Sequence, residues 1–358
     1  MKPDKAKGGP PAPASERLFV RRVLIVIAFV ALAFVLWQLR SVLLMLFGAV
    51  VVGTIVRAVA EPIARWTRLP DGIAVAVAAL LIAGLIVALA WMMGAQVSAQ
   101  FETLTRTLPE SWAKLEQWVQ GLGLGEPLHN WKRAMSEGGD TGIVSRVSGL
   151  AVSFTSAFGN ILIVIFGGVF LAAQPQFYRT GAIKLVPAAK RALVAEAMDE
   201  SEKALRLWLK GQLMAMIVVG LMTWLGLWLI GVESPLVLGL LAGALEFVPF
   251  AGPIIAAIPG VMLALAQSSD LALWTVGVYV VVQHSEAYLI QPLIQQYAVD
   301  LPAVVLLFSL LAFGLLFGTL GVVLAAPLAV VSYVLVKRLY VVETLDTATP
   351  IPGEGKSG

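Results

Sequence analysis

The sequence predicts an all-α polytopic membrane protein with about eight membrane segments, some of them broken or re-entrant helices in the C-terminal half. Three observations predict it. Of the 358 residues, 59% are hydrophobic and only 13% are charged, against roughly 45–50% and 25% in ordinary soluble domains. The mean hydropathy is +0.88; a soluble chain this apolar would expose large adhesive patches, whereas a bilayer is a solvent that suits it. The apolar residues also fall into runs close to the roughly 20 residues that span a hydrocarbon core, and two late runs are interrupted by Gly and Pro.

The elements follow in order. Residues 1–16 are polar and rich in Pro and Gly, and read as a disordered cytoplasmic tail. The apolar run after them outlasts a signal-peptide core and lacks a small-residue cleavage site, so Arg17, Arg21 and Arg22 are expected to anchor a retained helix. Residues 17–95 form the N-terminal transmembrane helices. Val23–Leu39 and Val42–Val56 are separated only by Arg40 and Ser41, which fits either a tight helical hairpin or one long bent helix. Ile73–Ala95 is a clean span.

Residues 96–146 read as an extracytoplasmic segment, with six acids and five bases. Within it Val97, Phe101, Leu104, Leu108, Trp112, Leu115 and Val119 recur at spacings of three and four, the mark of an amphipathic helix. Such a helix lies on the membrane or packs on a neighbour; a lid is the sharper alternative. Residues 147–173 are a further span. Residues 174–210 read as a cytoplasmic helical linker; its Ala188–Lys210 part is a solvated helix able to pair Glu202 with Arg206.

Residues 211–338 form a C-terminal unit. Gly211–Val232 is a span with Trp224 and Trp228 near its outer end. Pro235–Gln267 and Leu301–Val336 are each long for one helix and short for two spans with a turn. The first is broken at Pro249-Phe-Ala-Gly-Pro253, the second at Gly314, Gly318 and Gly321 before Pro327. Proline removes a backbone donor, and broken helices survive in lipid only when packed in protein or lining a wet cavity. Both runs therefore read as re-entrant hairpins or discontinuous helices, either unrelated or a weak repeat. Residues 339–358 read as a disordered tail. The seven bases between Arg179 and Lys210, the three between Arg57 and Arg68, and Lys337 with Arg338 assign those segments to the cytoplasm.

Candidate functional residues stand out against this background. No Lys or Arg occurs from Gly211 to Val336, yet Glu246 and Glu286 fall inside apolar stretches. A charge at mid-membrane costs about 2.5–3.5 kcal/mol on insertion scales, so intramembrane carboxylates mark ion, proton or substrate pathways, or else tie helices together. Glu246 immediately precedes the Pro249–Pro253 break, where helix ends and free carbonyls can add ligands. Gln283, His284 and Glu286 interrupt another apolar helix, with Gln291 and Pro292 following; they line a pathway or form a helix contact. Gln212 opens the Gly211–Val232 span, as an interfacial residue or as the seal of a cavity.

Enzyme chemistry finds no foothold. There are no cysteines and two histidines. HExxH, P-loop and GxSxG motifs are absent, so neither catalysis nor a metal or other cofactor is expected, and ATP is not expected to act within the chain. No basic patch with interleaved aromatics suggests nucleic acid.

One stretch is more specific. Gly211-Gln-Leu213, Gly231-Val-Glu-Ser-Pro235, and Leu238-Gly-Leu-Leu-Ala-Gly-Ala-Leu-Glu-Phe-Val-Pro-Phe-Ala-Gly-Pro253 with Pro259 resemble the autoinducer-2 exporter (AI-2E) family of permeases. Gln283-x-x-Glu286, Pro292, Pro302, Gly318-x-x-Gly321 and Pro327 fit the same family. The resemblance implies a multi-pass bacterial inner-membrane protein with both termini cytoplasmic, homo-oligomers such as pentamers, and export of autoinducer-2 or a related small polar solute in quorum sensing. It carries site roles onto Gln212, Glu246, Pro249, Gly252, Pro253, Gln283, Glu286 and Pro292. Some relatives are described as sodium/proton antiporters. The chain differs from the family at Gln174-Pro-Gln176, where acids are common, and at His284. The leading expectation is solute export by alternating access around Glu246 and the Gln283–Glu286 patch. The alternatives are sodium(lithium)/proton antiport and a non-transporting membrane scaffold or regulator.

Overall fold

The computed structural model describes residues 14–88, 91, 159, 161–292 and 301–347. The amphipathic helix expected over Val97–Val119, the start of the 147–173 span, Asp300, and most of both expected tails lie outside these residues. The described chain is helical, with no strand among the described residues.

The first two helices, α1 (Ala14–Gln38) and α2 (Arg40–Thr67), are not a hairpin. The helical ladder runs through the junction: Leu39 N donates to Val35 O and Leu43 N to Leu39 O, both at 2.9 Å. Reversal within two residues needs backbone freedom that Arg40 and Ser41 lack, so the pair forms the long, interrupted helix instead. Every side chain from Arg21 to Leu39 is exposed. The chain does reverse after α2, where Arg68 takes a left-handed conformation (φ 56°) and Pro70 follows. α3 (Asp71–Ala88) then packs back on α2 through Val56, Ala60, Ala74, Val75 and Ala78.

Helix α4 (Ile161–Ala173) and helix α5 (Pro175–Lys184) meet at a 92° bend. A residue before proline is pushed out of helical geometry, and Gln174 sits at φ −134°, ψ 57°.

The helix expected over Ala188–Lys210 and the span expected over Gly211–Val232 are one unbroken element, α6 (Arg191–Leu229), of 39 residues and about 58 Å. Its first half is not merely solvated. Ala197, Ser201, Ala204, Leu205, Trp208 and Leu209 are buried there. Arg206 bonds Glu61 of α2 at 2.8 Å and lies 3.5 Å from Glu202, the expected i,i+4 pair.

Both late runs are broken helical hairpins. In the first, α7 (Pro235–Leu245) turns at 246–250 into α8 (Ala251–Gln267). In the second, α10 (Ala303–Phe317) turns at Gly318 into α11 (Thr319–Val323). None of these four reaches the length of a spanning helix. Between the hairpins lies α9 (Ser269–Ser285), capped by Ser268 Oγ accepting from Leu271 N at 3.1 Å. The second run closes with α12 (Ala325–Val336), which continues into a π-helical segment (Lys337–Val342), so the expected tail from 339 begins as helix. Arg338 in that segment pairs with Glu196 of α6. Five described helices are long and apolar enough to cross a membrane, or six counting the bent α4–α5 pair; the expected count was about eight.

The core lies along α6. At its first half, Leu205, Trp208 and Leu209 pack with Leu44 and Val51 of α2 and with Ala326, Val330 and Val334 of α12. At its far end, Leu227 packs with Leu238, Leu263 and Ala272, which closes α7, α8 and α9 around it.

Candidate functional site

The tips of the two hairpins converge. Phe247 from the first tip, and Phe317 and Leu320 beside the second, pack on the same cluster around Trp208 and Leu324. Trp208 and Phe247 meet edge to face with centroids 6.0 Å apart.

The first tip owes its shape to its sequence. Phe250 adopts a positive φ of 65°. Pro253 lies in the first turn of α8, where a missing amide costs nothing. Gly252 lies so close to the Leu245 carbonyl that a Cβ would collide with it. The tip backbone is wound rather than open: Val248 N donates to Leu245 O at 3.0 Å and Gly252 N to Val248 O at 2.9 Å. Pro259 lies inside the continuous α8, and Tyr279 of α9 donates its hydroxyl to Ala256 O at 3.2 Å in the turn before it.

Glu246 closes α7 and is 2% exposed. Its Oε2 is buried with no hydrogen-bond partner among the described residues. Its backbone carbonyl accepts a 2.6 Å bond from Gln212 Nε2 of α6. Gln212 is buried, and its side chain pins the hairpin tip.

Glu286 begins a π-helical turn, Glu286–Ile290, after α9. Pro292 offers no amide to the preceding turn, and a turn widened by one residue is a recurrent feature of functional sites. Both carboxylate oxygens of Glu286 are held by amides: Oε2 by Gln283 Nε2, and Oε1 by Gln291 Nε2 at 2.9 Å. The glutamate is buried. Val282 and Ile290, one turn to either side, pack on Ala215 and Val219 of α6, so Glu286 shares the face of α6 that Gln212 begins. Glu246 and Glu286 thus both stand against α6, the first at Gln212 and the second beside Ala215 and Val219.

The structure therefore brings together Gln212, Glu246, Gln283 and Glu286, with Pro249, Gly252, Pro253 and Pro259 shaping the adjoining hairpin. His284 is not part of this group. It is exposed, and its Nδ1 faces the Val280 carbonyl of its own helix at 2.8 Å. Gln291, which the sequence placed at the edge of the polar patch, proves to be a direct partner of Glu286. Five residues from Glu286, it comes alongside only because the turn is π-helical. Among the described residues no three His, Cys, Asp or Glu side chains converge as metal ligands. Two buried carboxylates without a cationic partner among the described residues, one of them held by amides, can take up a proton, a cation or the hydroxyl groups of a polar solute.

Comparison with known proteins agrees with this architecture. The model of the AI-2E family transporter matches residues 24–340. The protein PerM of Escherichia coli is 28% identical over 70% of this chain and 72% of its own length. YueF of Bacillus subtilis is 22% identical over 90% of each chain, and the AI-2 transport protein TqsA of Escherichia coli is 25% identical over 81% of this chain and 82% of its own. With the family model covering nearly the whole chain, the protein belongs to the AI-2E family of membrane transporters.

Proposed function

We propose that the protein exports a small polar solute of the autoinducer-2 type across the bacterial inner membrane, by alternating access around Glu246 and the Gln283–Glu286 pair. The observation that carries this reading is the buried Glu246 carboxylate, unpartnered at Oε2, at the tip of a broken hairpin beside Glu286. A dry carboxylate with unused hydrogen-bonding capacity is expensive unless a solute or proton satisfies it at some stage of a cycle. The likeness to TqsA supports the solute class. Both termini in the cytoplasm and assembly as a homo-oligomer, a pentamer for instance, belong to the same reading.

Two buried acids against the same helix, with no basic partner among the described residues, favour a second reading, sodium(lithium)/proton antiport. One experiment separates them. Inverted vesicles are prepared from a host lacking its own antiporters, carrying the wild type or Glu246→Gln. Export predicts autoinducer-2 accumulation in wild-type vesicles, without a sodium or lithium requirement, and none with the variant. Antiport predicts that added sodium or lithium collapses a preformed pH gradient in the wild type only. Equal transport by wild type and variant would remove Glu246 from the pathway, and no response of the wild type in either assay would leave the scaffold reading.

A further inference from the structure

A second feature lies apart from the buried glutamates. The last turns of α2 and the middle of α6 enclose an open cleft of about 720 Å³. Its walls are mostly apolar, built from Ala58, Pro62 and Ile63 with the Trp66 indole; that ring is 94% exposed. Arg65, Arg206 and Lys210 also line it. Arg206 is neutralised by Glu61, the one acid in the lining. Arg65 and Lys210 are exposed and form no ion pair with any described residue. The cleft thus carries two uncompensated positive charges over an apolar wall, with an amphipathic ring at its mouth.

That combination selects an amphiphile with an anionic head. An apolar wall offers nothing to a small hydrated anion, and cations alone offer nothing to an acyl chain. Basic pockets between membrane helices on the cytoplasmic side suit anionic headgroups, tryptophan belongs at the headgroup level, and the cluster of bases from Arg179 to Lys210 places this end of α6 on that side. We propose that the cleft is a binding site for a phosphate-bearing anion, supplied by the headgroup of an anionic phospholipid, with Arg65 and Lys210 on the phosphate and Pro62, Ile63 and Trp66 against the glycerol and acyl portion.

The test uses the purified full chain, stripped of lipid by extended detergent washing. Phosphatidylglycerol or phosphatidylcholine is added back and retained lipid is counted by native mass spectrometry. The wild type should retain phosphatidylglycerol over phosphatidylcholine. The double substitution Arg65→Ala with Lys210→Ala should weaken retention on the order of 30-fold, at about a factor of five per cation. Two controls guard against damage to the fold: Arg21→Ala with Arg22→Ala removes the same charge elsewhere and should bind as wild type, and Arg65→Lys with Lys210→Arg should preserve binding. Excess inorganic phosphate should fail to displace the lipid; if it displaces the lipid fully, the site is assigned to a free phosphorylated solute instead. Equal retention of both lipids by the wild type, or equal losses with the cleft and Arg21/Arg22 substitutions, would overturn the proposal.

Discussion

The two halves of α6 are held by different chemistry. Along its first half, neighbours are joined by charge and by large side chains: Arg206 to Glu61, Arg338 to Glu196, and Trp208 and Leu209 against α2 and α12. Along its second half no charge occurs at all, and α7 is held by the absence of side chains. A Cβ at Gly243 would lie 2.6 Å from the Met216 carbonyl, and one at Gly239 would lie 2.7 Å from that of Gly220. Where lipid removes the hydrophobic drive between helices, close backbone approach through small residues replaces it. Gln212 and the first hairpin tip sit where the two regimes meet. The stem of this hairpin is held by van der Waals contact along its length, its tip by one hydrogen bond from Gln212 and by the Phe247 ring on Trp208.

This contrast can be broken from either side. The largest effect should come from Glu246→Gln, which should abolish transport in the vesicle assay while the protein still inserts and purifies, because it alters chemistry and not packing. Next, Gly243→Leu should lower stability by about 3 kcal/mol, read as a fall in the thermal midpoint in detergent, since backbone carbonyls cannot move aside for the new side chain. Breaking the partly buried Arg206–Glu61 pair should cost less. A double-mutant cycle with Arg206→Ala and Glu61→Ala should give a coupling of about 1 kcal/mol. The smallest effect should follow Arg179→Ala: its 2.6 Å pair with Asp199 is solvent-exposed on the acid side, and a loss below about 0.5 kcal/mol is expected. If Arg179→Ala proves as costly as Gly243→Leu, the division between the halves fails. Gln212→Leu sharpens it: the fold should survive with little change in thermal midpoint, while transport changes.

The sequence made the breaks legible where the residue type compels them. Pro249, Gly252 and Pro253 cannot continue a helix comfortably, and Gly318 adopts φ 67°. The isolated carboxylates were legible because nothing near them in the chain could neutralise them. Three things were not legible. At the α1–α2 junction the lengths of the two apolar runs fit a hairpin as well as a continuous helix, and only the missing backbone freedom at Arg40 and Ser41 spoke against reversal. The placement of Glu246 and Glu286 against one helix, 40 positions apart in the chain, depends on how α7 and α9 pack around α6. The Gln291 contact requires a π turn, whereas α-helical spacing would carry Gln291 away from Glu286.

Helix α6 is also a lever. It is one unbroken rod of about 58 Å whose two ends belong to different packing groups, with the hairpin tip attached by Gln212 near its middle. A tilt of about 5° about one end carries the other through about 5 Å and the Gln212 fulcrum through roughly half of that. Half that travel is comparable to the length of the hydrogen bond that pins the tip. Small rocking of the charged end would thus be geared directly to making and breaking the contact over Glu246.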